Sequence, residues 1–336
     1  MKKLFLLLGA AAAISSLTGC NKNHANVGLL YCAAEANSLY QVNVVKAELE
    51  KKGLTTKMLS FSDSNDISAV LSGSINKVDT IYIPTDNTCA SNSEIINSIV
   101  RPNKKPVFAG EEGICEGCGA ITLSISYYNI GVKTGEMAVD VLLGKKDIKT
   151  LPIEYDRSTV KKYNKSFCEA VGVNVPSDYV EIGKDASSVA PLPEFQNSNN
   201  NQYKIGISQL VTHPALDSAT KGFTDAVKAG LGEANVTFDL QNAAGDSAIC
   251  STIAGNFVAH NVDLIMANAT PALQAAANAT STIPILGTSV TEYGVALGIE
   301  NFDGVIGRNI SGTSDLAPLD QQAAMLSEVF APFMKK

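Results

Sequence analysis

Residues 27–54 read VGLLYCAAEANSLYQVNVVKAELEKKGL, and residues 205–231 read IGISQLVTHPALDSATKGFTDAVKAGL. Each opens as a short apolar strand, passes through a polar loop, and continues as an amphipathic helix that stops at glycine. The correspondence continues downstream. Residues 77–91, KVDTIYIPTDNTCAS, answer residues 261–275, NVDLIMANATPALQA: Val-Asp, an apolar strand, then a Thr- and Asn-rich loop opening a helix. Residues 104–113, KKPVFAGEEG, answer residues 281–291, STIPILGTSVT, a proline-led strand ending in small residues. Both halves run β-α-β-α-β, the order of a parallel sheet covered by helices. The predicted fold is therefore α/β, with two similar Rossmann-like lobes joined by a hinge.

The chain has 336 residues, 45% hydrophobic and 18% charged, which suits a globular protein of about two domains. Its net charge is −7 and its arginines are only Arg101, Arg157 and Arg308, so it lacks the clustered basic groups that nucleic acid requires. The N-terminus, MKKLFLLLGAAAAISSLTGC, pairs Lys2 and Lys3 with an apolar run at 4–14 that is too short to span a bilayer. That is a signal-peptide pattern. The closing Leu17-Thr18-Gly19-Cys20 resembles a bacterial lipobox. The expectation is a lipoprotein signal peptide over 1–20, with Cys20 acylated and the protein anchored by lipid on the extracytoplasmic face of the cell membrane.

Six further cysteines remain: Cys32, Cys89, Cys115, Cys118, Cys168 and Cys250. Cys115-Glu-Gly-Cys118 has redox-motif spacing, but Gly113, Gly117 and Gly119 point to a loop there rather than the opening of a helix. Without a second pair or a nearby histidine it is a poor zinc site, and a local disulfide or free thiols is the preferred reading. Catalysis finds equally little support. The histidines are His24, His213 and His260, and only His213 falls in a loop at a strand end. No GxSxG elbow occurs, and the SxxK spacings at Ser74, Ser158 and Ser218 share no context. The adjacent Glu111 and Glu112 would point apart on an extended backbone rather than converge on one bond. No metal, cofactor or enzymatic activity is expected.

In an open parallel sheet, ligands bind beyond the carboxyl ends of the strands. In the first lobe the loops there are AAEANS, PTDNT and AGEEG, which supply Asn37, Ser38, Thr85, Asp86, Asn87, Gly110, Glu111 and Glu112. In the second they are LVTHPALD, NATPA and GTSVT, which supply Leu210, His213, Pro214, Asp217, Thr270, Pro271, Ala272, Thr288 and Ser289. Pro214 and Pro271 suit a first helical turn, with Thr212 or His213 and Thr270 as caps. Six polar loops in register describe a cleft between two lobes, shaped for a small polar molecule.

The segments YKIGISQLVTHPALDSATKGF, QNAAGD, VDLIMANATPALQAAANAT, VDTIYIPTDNTCAS and PVFAGEEG together resemble ABC-transporter substrate-binding proteins of the tryptophan/aromatic-amino-acid type. The resemblance covers nearly all of 27–182 and 203–333 and implies the type I periplasmic-binding-protein fold, with ABC permease and ATPase subunits as partners. The order differs, however. In that family the KIGI…HPALD lobe comes first, ends in an SGTSD-like crossing and a helix like PLDQQAAMLSEVFAPF, and leads into the VGLLY-like strand. Here that strand lies at 27–31, so joining Lys336 to Asn26 would restore family order, and the chain reads as a circular permutant. The polar stretch 183–202, GKDASSVAPLPEFQNSNNNQ, is then the linker between old termini. The expected lobes are 24–122 with 151–182 and 316–336, and 123–150 with 203–313. Leu319, Ala323, Leu326, Phe330 and Phe333 recur at helical spacing as a core stripe on the final helix.

The resemblance implies an amino acid as ligand, with an aromatic side chain, bound as the lobes close about hinges at 122–126 and 311–315, the latter ending at Asp315. An α-carboxylate would suit the helix start at Thr270–Ala272, helped by Thr288 or Ser289. Asp86, Glu111 or Glu112 would accept the ammonium, and Tyr127, Tyr128 or Leu210 would pack on the side chain. One motif departs from the family: YGIDYYELG appears here as LSISYYNIG, which places Ser126 where an acid is usual. A sensor that presents its ligand to a membrane receptor is the alternative function.

Overall fold

The computed structural model describes residues 24–156, 158–184, 189–198 and 200–334. Cys20 and the signal-peptide pattern lie outside the described residues.

The chain begins with β1 (Ala25–Cys32), α1 (Ala36–Lys51), β2 (Thr56–Phe61), α2 (Ile67–Ser74) and β3 (Val78–Ile83). Next come α3 (Asn87–Ser91), α4 (Ser93–Val100), β4 (Val107–Ala109), α5 (Glu112–Cys118), β5 (Ile121–Ser124) and α6 (Tyr127–Leu142). Three short strands, β6 (Glu154–Tyr155), β7 (Val160–Tyr163) and β8 (Val180–Glu181), follow, with α7 (Lys165–Val171) between the last two. The second half holds β9 (Tyr203–Gln209), α8 (Pro214–Leu231), β10 (Val236–Asn242), α9 (Ser247–Ala259) and β11 (Leu264–Asn268). It closes with α10 (Thr270–Ala279), β12 (Ile285–Val290), α11 (Tyr293–Leu297), β13 (Ile310–Ser314) and α12 (Leu319–Val329).

Two sheets result. The first has the order β2-β1-β3-β4-β5-β7-β8, parallel except where β7 runs antiparallel to β5. The second, β10-β9-β11-β12-β13-β6, is parallel throughout. Every residue of β3 and β11 is buried, as expected of strands covered by helices on both faces. The α/β class and the paired parallel sheets are thus as the β-α-β-α-β repeats indicate.

The last helix returns to the first sheet. Leu319, Ala323, Leu326 and Phe330 join its core, Phe333 packs at the edge, and Gln322 accepts a hydrogen bond from the buried Tyr82 hydroxyl at 2.8 Å. α6 goes the other way and lies against α8. Backbones meet there: a Cβ on Gly131 would sit 2.1 Å from the Ala219 carbonyl oxygen, and one on Gly222 2.1 Å from that of Tyr128. Only residues without a side chain permit that approach.

Several expected boundaries need correction. Residues 123–124 complete β5 and stay with the first sheet, so the crossing starts after Ser124. The return segment does not begin at 151: Leu151 and Ile153 are buried in the second lobe, and β6 pairs with β13 there. The chain regains the first sheet only at β7, so it passes between the sheets a third time after β6, a crossing that sequence patterning missed. The stretch 183–202 is not a free tether along its whole length. Gln196 donates its backbone N–H to the Gly230 carbonyl at 2.7 Å, and Asn197 is buried, its amide donating to the Leu231 carbonyl. The CxxC segment is helix α5 rather than loop. Glu111 caps it by accepting from Gly113 and Ile114, and Gly117 leaves room for Ser93 on α4, whose Oγ would lie 2.3 Å from an added Cβ. Packing against α4 and a strong cap override glycine's poor helix propensity.

Candidate functional site

The carboxyl ends of both sheets point at one another across the hinge strands, and the loops there open helices. Their caps divide into two groups. Asp86, Glu111, Ser126 and Glu292 cap α3, α5, α6 and α11 with their side chains. By contrast α1, α8 and α10, which begin after Glu35, His213 and Ala269, have no side-chain cap. Neither Thr212 nor His213 caps α8, and Thr270 is the first residue of α10 rather than its cap, contrary to expectation: the Thr212 hydroxyl instead accepts from Asn242 at 3.0 Å. Three long helices therefore start with N–H groups that no side chain caps, at the positive pole of the helix dipole, a setting suited to an anion.

The backbone is strained at the same place. Ala269 has φ +90° with ψ 158°, and Ser289 has φ +53°. Both follow or end strands of the second sheet, in conformations that side-chain-bearing residues rarely adopt, at a cost of about 1–3 kcal/mol each. The Ala269 turn aims the α10 amides across the cleft while its own N–H donates to the Thr288 carbonyl at 3.0 Å.

Between the lobes lies a run of buried polar contacts. Asn37 donates to the Thr85 carbonyl at 3.0 Å, and Gln41 clamps the same residue, donating to that carbonyl and accepting from Thr85 N–H, both at 3.2 Å. The Tyr127 hydroxyl donates to Asp315 Oδ2 at 2.9 Å. Across the lobes, His213 Nε2 and Asn87 Oδ1 lie 3.3 Å apart. Among the atoms buried without a hydrogen-bond partner in this region are Asn37 Oδ1, His213 Nδ1, Ser289 Oγ and Asp315 Oδ1. Their residues are 4%, 6%, 6% and 2% exposed, and each orphaned group costs about 1–3 kcal/mol unless something else meets it.

The site is electronegative. Burial, aided by the charge of Glu35, pushes Asp86 up to about 7 although Cys32 and Cys89 N–H groups bind it. Burial likewise pushes Glu111 up to about 7 against the stabilising Gly113 and Ile114 amides, with Glu112 and Asp315 adding repulsion. Asp315 is raised too, again chiefly by burial. Burial lowers His213 to about 4, so its ring is neutral at neutral pH. Three crowded acids beside uncapped helix starts favour a ligand that carries both signs of charge.

Two cavities flank the buried centre. One, of about 310 Å³, opens between α5, α6 and α8 beside Glu111, Ser126, Tyr127 and Pro214. The other, of about 500 Å³, opens on the opposite rim beside Asn87, Leu210 and Pro271. Glu112 stands at the first mouth, paired with Lys162 at 2.7 Å, while Glu111 is turned inward, so the two glutamates do diverge.

Some expected site residues serve the fold instead. Gly110 is packed against the Pro84–Thr85 backbone, where a Cβ would come within 2.6 Å. Thr288 is fully buried and bonded to Thr313 at 3.2 Å. Asp217 is exposed on the outer side of α8 and accepts from Gln209 at 2.6 Å. Ser38 and Ala272 are buried at the starts of α1 and α10, where Ser38 adjoins Asp86. Ser126 accepts from Asn129 N–H at 3.3 Å as the cap of α6. An aspartate in the family motif would cap equally well, so this departure preserves the helix start. Missed by sequence reading were Gln41, Gln322 and Glu35. The Glu35 carboxylate is buried and accepts from both Asn87 and Thr88, including both backbone N–H groups, at 2.7–3.0 Å. Nothing in the local pattern distinguishes Glu35 from a surface acid.

The family profile for "ABC transporter substrate binding protein" matches residues 12–188 and 204–336. The chain belongs to this family. Its members are binding proteins rather than enzymes. A tyrosine-binding protein of Clostridioides difficile (strain R20291) is 41% identical over 146 residues, 42% of this chain and 41% of that protein. The aligned stretch therefore spans less than half the length of this curated relative. Among solved structures, a carbohydrate transporter solute-binding protein from Agrobacterium radiobacter superposes with a TM-score of 0.60 at 12% identity, covering 92% of this chain and 88% of that one. A glucose-galactose binding protein from Geobacillus stearothermophilus gives 0.59 at 12% identity, with 92% of both chains covered. At such identities these two establish the periplasmic-binding-protein type of fold and nothing about the ligand.

Proposed function

We propose that this protein binds an aromatic α-amino acid as its zwitterion in the interlobe cleft and delivers it to an ABC importer from a lipid anchor at Cys20. The observation that carries the reading is the set of four orphaned polar atoms, on Asn37, His213, Ser289 and Asp315, facing uncapped helix starts. The α-carboxylate takes the amides of α10, with Ser289 Oγ as a further donor. The ammonium takes Asp315, whose Oδ1 is free while Oδ2 is held by Tyr127. This assignment supersedes Asp86 and Glu111, whose oxygens already accept backbone N–H groups from Cys32 and Cys89, and from Gly113 and Ile114. The similarity to a tyrosine-binding protein supports an aromatic side chain, with Leu210 and Tyr127 at hand to pack on it. A thermal-shift screen of the twenty amino acids on the chain lacking residues 1–20 tests the ligand class; stabilisation by aromatic members alone is expected, and none by any would reject it. Cys20→Ala should abolish lipid labelling and release the protein from membranes, while unchanged retention would refute the anchor.

The circular permutation is part of the same reading. In support, α12, last in sequence, packs beside the strands of the first sheet, and the two family-matched segments part at 188–204. A chain reordered as 203–336 followed by 26–182 should fold as a monomer with unchanged ligand affinity, and failure to fold would count against it.

A further inference from the structure

His213 immediately precedes α8 in the second lobe, and its Nε2 lies 3.3 Å from Oδ1 of Asn87 in the first. What holds Asn87 decides which of the two donates. The buried Glu35 accepts from the backbone N–H and side-chain amide of Asn87 at 3.0 and 2.8 Å, and from the backbone N–H and hydroxyl of Thr88 at 2.9 and 2.7 Å. A carboxylate only accepts, so the amide nitrogen of Asn87 faces Glu35 and its oxygen is the atom turned to His213. That oxygen also only accepts, so the proton of this pair sits on Nε2. Burial lowers His213 to about 4, and a neutral imidazole carries a single proton. Nδ1 is therefore a bare lone pair. It is buried without a hydrogen-bond partner, and it does not cap the helix that follows it. The residue stands between the two cavities, since its neighbour Pro214 lines one and its partner Asn87 lines the other.

We propose that His213 determines specificity by accepting, at Nδ1, a hydrogen bond from a phenol O–H on the ligand's aromatic ring, with Glu35 and Asn87 as positioning residues that fix its tautomer. This rests on the reading of the ligand as an aromatic α-amino acid. With the ammonium taken by Asp315 and the carboxylate able only to accept, the donor has to come from the side chain. Aromatic amino acids offer two, a phenol O–H and an indole N–H, and the more acidic phenol suits a basic imidazole nitrogen better. A ring with neither leaves the lone pair of Nδ1 unmet, and a site built around a polar partner rejects the analogue that lacks it. Because Asn87 and His213 belong to different lobes, the tautomer is set only when the lobes are together. The closed cleft thus reads the ring's hydroxyl.

Calorimetry on the purified protein should compare tyrosine with phenylalanine and 4-fluorophenylalanine, which have nearly its shape and no side-chain donor. Tyrosine is expected to bind about 5- to 150-fold more tightly than either, the cost of leaving a buried polar group unpaired. His213→Phe, which keeps a ring of similar bulk, should lower tyrosine to the affinity of phenylalanine and leave phenylalanine within about twofold. Nitrogen-15 NMR of the wild type, with His213 assigned by backbone connectivity, should show Nε2 protonated and Nδ1 bare. In Asn87→Leu the Nδ1–H tautomer should appear, a change that a merely structural role for Asn87 would not produce. The wild-type spectrum and the three-ligand comparison stand alone if a variant fails to fold. Tyrosine no tighter than its two analogues, equal weakening of all three by His213→Phe, or an Nδ1–H tautomer in the wild type would overturn the assignment and leave the ligand class intact. Binding of none of the three would overturn the ligand class itself, and this inference with it.

Discussion

Asp315→Asn separates what the cleft does from what holds it together. Asp315 is 2% exposed and accepts from Tyr127 through Oδ2 at 2.9 Å, with the Thr291 side chain and its own backbone N–H also favouring its charged form, while Oδ1 has no hydrogen bond of ordinary geometry. Asparagine keeps an oxygen for Tyr127 but loses the negative charge and turns an amide toward the ligand ammonium. A charge-assisted hydrogen bond contributes about 1.5–3 kcal/mol, so calorimetry should show tyrosine binding weakened about 10- to 150-fold. The unliganded protein should respond in the opposite direction. Burial without a counter-charge already raises the pKa of Asp315, so a neutral amide relieves desolvation and should raise the melting temperature of the ligand-free form by a few degrees, roughly 1 kcal/mol. Weaker binding with a more stable apo protein is the signature of a group placed for the ligand. Unchanged affinity would remove Asp315 from the site, and lowered apo stability would show that its charge serves the fold.

Acidity tests the same crowding. The folded-state pKa values of Asp86 and Glu111 are raised, both to about 7, so their contribution to stability is complete below ordinary carboxylate values and is lost as pH rises through about 7. His213, lowered to about 4, opposes this with stability that is present above its unfolded value and lost as pH falls toward 4. The two acids outweigh it between pH 8 and 6, so the apo protein should melt higher at pH 6 than at pH 8 by calorimetry. Ala269→Gly should stabilise the protein by about 1 kcal/mol in denaturant titration, since glycine tolerates φ +90°, and should leave affinity within about twofold. Gly222→Val should cost more than about 3 kcal/mol, because its side chain would collide with the Tyr128 carbonyl and drive α6 from α8.

Much of the fold was written in short-range pattern. The strands at 27–32 and 264–268 are apolar because helices cover both faces, and the stripe from Leu319 to Phe330 shows its helix whatever sheet it joins. Where neighbours decide, pattern fails. Three glycines around the CxxC motif conceal a helix that forms because Glu111 caps it and Ser93 fills the space beside Gly117. β6 is two residues long and is a strand only because β13 lies beside it. The loops of the cleft were legible as a group, but individual roles were not. Thr270 is of a type that caps helices and does not, Asp86 resembles a ligand acid and is a cap, and Asp217 lies in the first turn of α8 facing outward. What marks Asn37, Ser289, His213 and Asp315 is one buried polar atom on each that lacks a partner, a property of three-dimensional packing that no local sequence pattern carries.

The most direct measurement compares three ligands on the chain lacking residues 1–20 by titration calorimetry: L-tyrosine, tyramine, which lacks the carboxylate, and 3-(4-hydroxyphenyl)propionate, which lacks the ammonium. If the uncapped helix starts hold the carboxylate and Asp315 holds the ammonium, tyrosine binds and each analogue loses at least about tenfold, with Asp315→Asn erasing the advantage of tyrosine over the propionate alone. Equal binding of all three, or binding of none, would contradict a zwitterion site in this cleft.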